Sequence, residues 1–140
     1  MVTIQELFEN YERYRGELEA DICMLRDMLE QEMPEPDGAL SELGQMLKHL
    51  QGCADFVNSE QVDFRLEHAY LRFRQLSFLK WAIKSRPKRQ RMILQQLYVE
   101  KKSWQELEQE LHISQMTISR DRNKAFKDLG AEFLSWPDDW

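Results

Sequence analysis

Apolar residues recur at helical spacing through the first thirty positions. Ile4, Phe8, Tyr11, Leu18, Ile22, Leu25 and Leu29 fall at steps of three and four, with Arg15 interrupting the stripe. Leu7, Tyr14 and Met28 widen it. The pattern predicts a helix over Thr3 to Glu32 that packs against more than one neighbour. Such a helix is ~45 Å long, more than a core of this size needs, so coiled-coil association within or between chains is expected.

"MPEPDG", Met33 to Gly38, is turn chemistry that a helix cannot continue through. A second helix is predicted from about Ala39 to Val57, with Leu40, Leu43, Leu47, Leu50 and Ala54 on one face. Asn58 or Ser59 is placed to cap a third, Glu60 to about Lys84, carrying Val62, Leu66, Ala69, Phe73, Leu76 and Ile83 in register. Phe64, Tyr70, Phe73, Phe78 and Trp81 read as core at that spacing. The basic stretch "KSRPKRQR" is a joint at which Pro87 suits the first turn of a fourth helix holding Met92, Ile93, Leu94, Leu97 and Tyr98. The fold class expected is all-α: long N-terminal helices in a coiled-coil or antiparallel bundle, open to completion by a second subunit, followed by a C-terminal unit.

Composition changes this picture little, but charge changes it substantially. The 140 residues carry a net charge of -6. Met1 to Asn58 hold thirteen acids against four bases, whereas Ser59 to Leu129 hold nine acids against fifteen bases. The last eleven residues have three acids and no base. An acidic half joined to a basic half suggests one part that faces protein and one that faces a polyanion.

The basic half contains "SWQELEQELHISQMTISRDRNKAF", Ser103 to Phe126. Ser103 and Glu106 form the pattern of a capping box, in which a side chain and the backbone satisfy each other's helix-start donors. Leu107 and Leu111 point inward one turn apart. Ile113 reads as the buried residue of a three-residue turn, and Ser114 as the cap of the next helix. Ile118, Ala125 and Leu129 give that helix an inner face. Gln115, Met116, Thr117, Ser119, Arg120, Asn123 and Lys124 are left facing out without an acid among them. This is a helix-turn-helix pattern.

The segment from Arg86 to Gly130 resembles region 4 of bacterial sigma factors, and more closely the sigma-like domain of phage late-gene activators of the ArpU and RinA kind. The resemblance is carried by Arg89, Arg91, Tyr98, Ser103, Trp104, Glu106, Ile113, Ser114, Thr117, Ile118 and Ala125. Glu108 stands where that pattern usually has Ala, His112 where a Gly often makes the turn, and Asp121 at a commonly apolar site. The resemblance implies a DNA-binding transcriptional regulator of phage or prophage type, acting at a promoter with host RNA polymerase in the cytoplasm of a bacterial host cell. In a major groove, Gln115, Met116, Thr117, Ser119, Arg120 and Asn123 would read bases. Arg86, Lys88, Arg89, Arg91, Lys101, Lys102, Ser114 and Lys124 would contact phosphates.

The expected organisation is residues 1–84 for oligomerisation, 85–130 for DNA binding and 131–140 as an acidic aromatic tail with Trp136 and Trp140. The expected partners are double-stranded DNA, a second copy through the N-terminal helices, and RNA polymerase, with no membrane. A small terminase subunit, which also joins a helix-turn-helix to an oligomerising region, is the alternative. A helical interaction module that has lost DNA binding is the third reading. No catalytic constellation, cofactor motif or metal-ligand spacing stands out: His49, His68 and His112 show none, and Cys23 and Cys53 read as free thiols. No apolar run approaches the ~20 residues of a membrane span, and the acidic, amphipathic N-terminal stretch is unlike a secretory signal.

Overall fold

The computed structural model describes residues 2–134; residues 131–134 of the expected tail belong to a helix, and the rest of it, with Trp136 and Trp140, lies outside the described residues. Those residues are helical, with no strand among them. In chain order the elements are α1 (Ile4–Glu9), α2 (Tyr11–Met28), α3 (Leu40–Ala54), α4 (Glu60–Lys84), α5 (Lys88–Leu94), a π-helical turn (Gln95–Val99), α6 (Trp104–Leu111) and α7 (Gln115–Leu134).

The long first helix expected from periodicity is two helices. Asn10 interrupts it by leaving helical geometry (φ -98°, ψ 11°), while its backbone and side-chain amides both donate to the Glu6 carbonyl, at 3.0 and 2.8 Å. α2 also stops before the prolines. Glu30 adopts a left-handed conformation (φ 53°), and the Glu30 and Gln31 amides turn back to the Asp27 and Arg26 carbonyls at 3.2 and 2.9 Å. That is the Schellman closure, made here without glycine. What remains of the ~45 Å rod is an 18-residue helix.

The chain forms two compact units. One is Arg13–Ser77; the other joins the N-terminal stretch up to Glu12 to the chain from Phe78 onward. This division differs from one drawn at residue 84, because Leu7 and Phe8 of α1 are fully buried and α1 packs on α7.

Within the Arg13–Ser77 unit, Leu18, Ile22, Leu25, Leu43, Leu47, Leu50, Val62, Leu66 and Ala69 are buried, at the positions that helical spacing marks. Gly44 lets α3 approach α4: a Cβ there would stand 2.7 Å from the Phe73 ring. α2 and α4 run antiparallel, linked by a half-buried ionic network. Asp21, 2% exposed, is held by Arg65 at 3.0 Å and by His68 Nδ1. One turn earlier, Glu17 takes Arg72, which also lies 4.3 Å over the Tyr14 ring. Phe64, expected in the core, is 65% exposed, and Trp81 is also exposed. On α3, His49 Nε2 and Cys53 Sγ lie 3.8 Å apart, a one-turn spacing that the reading from sequence missed. Ser59 caps α4 by accepting from the Val62 amide at 3.3 Å.

Candidate nucleic-acid interface

The second unit is assembled around a small apolar centre. Ile93 of α5, Leu107 of α6 and Ile118 of α7 are fully buried, and Leu97, Trp104, Leu111 and Ile113 pack against them. Ile113, expected to be buried, is half-buried. A second layer joins Phe8, Tyr98 and Phe126, with ring centroids 5.4 to 5.9 Å apart. Burial pushes the Tyr98 hydroxyl above the ordinary phenol range, and Arg122 beside it acts in the opposite direction. Arg122 lies 5.1 Å over the Trp104 ring, so a cation on α7 is held against α6.

The two helices of the motif are separated by His112, Ile113 and Ser114. Ser103 accepts from the Glu106 amide at 3.1 Å while Glu106 accepts from the Ser103 amide at 3.3 Å, closing the capping box. His112 ends α6 in the left-handed region (φ 54°), at the position where a glycine is common in the resembled pattern. Ser114 caps α7 by accepting from the Thr117 amide at 3.2 Å, and its hydroxyl meets the Thr117 hydroxyl at 3.0 Å. α7 therefore starts at a defined residue and leaves the turn rigidly.

Its outward face is open. Gln115, Met116, Arg120, Asn123 and Lys124 are exposed, Met116 to 78%, while Thr117 and Ser119 are half-buried. Arg120 reaches back to the Thr117 hydroxyl at 3.5 Å. Asp121 turns inward and is 8% exposed, which explains a carboxylate at a position that is usually apolar: Arg89 of α5 pairs with it. The contact is one of charge, since no hydrogen bond to the engaged oxygen has good geometry. Residues 82–130 match the family described as Sigma-70, region 4.

This segment carries a sigma-70 region 4 domain, a helix-turn-helix DNA-binding unit. The match spans the end of α4, α5, the π-turn, α6 and most of α7, about a third of the chain. No curated protein and no solved structure matches the chain.

Within this domain the basic residues differ in how free they are. Lys88, Arg91 and Lys124 are exposed. Arg86 is half-buried and lies 3.8 Å from Asp128. Lys102 donates to both oxygens of Glu110 at 2.9 Å and lies 3.6 Å from Glu100; the Glu110 hydrogen bond is the main reason its ammonium is raised above the ordinary lysine range. Lys101 sits at a left-handed position (φ 57°), 3.9 Å from Glu12. Lys127 is a cation that the reading from sequence missed. It is exposed and follows Arg120, Asn123 and Lys124 at helical spacing, a signal that was available in the sequence. Among the described residues, no helix is long and apolar enough to cross a membrane, and no group of three or more side chains could hold a metal ion.

Proposed function

We propose that the protein is a sequence-specific transcriptional regulator of phage or prophage type, working at a promoter with host RNA polymerase. The observation that carries this reading is an exposed, capped α7 presenting Gln115, Met116, Arg120, Asn123 and Lys124 within the segment that matches sigma-70 region 4. An α-helix fits the major groove, where Gln pairs with adenine and Arg with guanine through two hydrogen bonds each. Lys88, Arg91 and Lys124 are the freest phosphate contacts, with Arg86, Arg89, Lys101, Lys102 and Ser114 joining them. The phage or prophage assignment rests on the resemblance to late-gene activators. The helices of residues 1–84, apart from α1, supply the homodimer contacts; exposed Met24, Met28 and Phe64 offer apolar surface for that role.

Selection of duplexes from a random pool, followed by footprinting and by mass in solution, tests the proposal. A single protected motif with two half-sites and a dimeric mass is the expected result. Arg120→Ala should lose about 1–3 kcal/mol of discrimination at one guanine while keeping its fold. A ring-sized mass with a site inside packaging genes would replace this reading with a small terminase subunit. Failure to bind any duplex would end it.

A further inference from the structure

Glu108 is the only carboxylate that the structure hydrogen-bonds to a proposed base-reading side chain among the described residues: its Oε2 accepts from Gln115 Nε2 at 3.0 Å. Both side chains are exposed, one on α6 and the other at the first residue of α7. An ionised carboxylate can only accept, so the Gln115 amide must turn its nitrogen toward Glu108 and cannot flip. One amide hydrogen is used in that bond. The second hydrogen and Oε1 remain, the donor and acceptor pair that adenine N7 and N6 require. The same carboxylate places a negative charge beside the surface that would approach phosphates, which weakens binding to every sequence alike.

We propose that Glu108 is a specificity-determining residue of the DNA interface: it fixes the amide of Gln115 for adenine and suppresses indiscriminate binding by its charge. The assignment rests on the DNA-reading role of α7. Glu108 does not itself need to touch a base. It acts by removing the alternative amide orientation, in which Gln115 would present its two groups in the reverse order and accept other bases. Discrimination at that base pair is thereby raised at some cost in total affinity.

The test uses the full chain and a duplex selected by it from a random-sequence pool, with every single-base variant of that duplex and a random-sequence duplex as competitor. The wild-type protein should prefer adenine at one base pair by about tenfold. Gln115→Ala should abolish that preference and leave the others. Glu108→Ala should reduce the same preference severalfold while raising affinity for random duplex a few-fold. Glu108→Gln should act like Glu108→Ala, because its amide can donate to Gln115 Oε1 as readily as it accepts from Nε2: the acceptor-only partner and the charge are both lost, so adenine preference falls and random duplex binds more tightly. A loss of adenine preference confined to one base pair is not a result that a merely structural role would produce. Retention of the full preference in Glu108→Ala or in Glu108→Gln overturns the proposal while the DNA-binding reading stands. If the wild-type protein selects no duplex, both fall together.

Discussion

His112 shows how much a single backbone angle contributes to the site. At φ 54° it occupies a region where a β-carbon crowds the following carbonyl, a cost of roughly 1–2 kcal/mol for most residues. Glycine has no such penalty, although it adds freedom to the unfolded chain. His112→Gly is therefore expected to stabilise the domain by about 0.5–1 kcal/mol, read as a higher urea midpoint with an unchanged slope. An unchanged or lower midpoint would mean that the imidazole makes a contact worth more than the strain. Asp121 gives the complementary lesson. In sequence it looks like a carboxylate facing phosphates; in the fold it is turned inward against Arg89, so it spares the DNA-facing surface while drawing on a cation counted among the phosphate contacts.

At the scale of elements, helices α3 and α4 were legible because their apolar positions keep one period from end to end. Leu43, Leu47, Leu50 and Ala54 are all buried, as are Val62, Leu66, Ala69, Leu76 and Ile83. α1 and α2 were not separable by that signal. The apolar period runs through Asn10, and the break is a departure of that one residue's backbone from helical geometry, which periodicity does not register. The glycines of α3 divide in the same way. A Cβ added at Gly52 would meet nothing within 4 Å, whereas at Gly44 that carbon would meet the Phe73 ring. Gly52→Ala is expected to stabilise by about 0.5–1 kcal/mol through helix propensity alone. Gly44→Ala gains the same propensity but must displace an aromatic ring, a penalty of about 1–3 kcal/mol, so it should destabilise or at best break even. Urea titration of the two variants side by side decides it; equal stabilisation would show that Phe73 yields freely.

At the scale of the whole molecule, the N-terminal residues belong with the DNA-binding domain. Phe8 is fully buried between Tyr98 and Phe126, some ninety and more positions away in sequence. Removing a buried phenylalanine ring costs about 3–5 kcal/mol, comparable with much of the stability of a domain this size. Phe8→Ala should therefore lower the melting temperature of the helix-turn-helix unit and weaken DNA binding on every sequence, with no change in base preference. A variant that melts and binds as the wild-type protein does would show that α1 is dispensable to the domain.

The sequence by itself determined the helical class and the two-helix motif, because both are written in local signals. The period of the apolar residues, the Ser103 and Glu106 reciprocal cap, and the short turn ending at Ser114 act over a few residues and need no distant partner. Only the tertiary structure decided where long-range contacts fall: Phe8 against α7, Asp21 between Arg65 and His68, Asp121 against Arg89, and Glu108 on Gln115. A charged side chain reads alike in sequence whether it faces solvent, a phosphate or an opposite charge, and its partner is chosen by which helices the fold brings within a few ångströms.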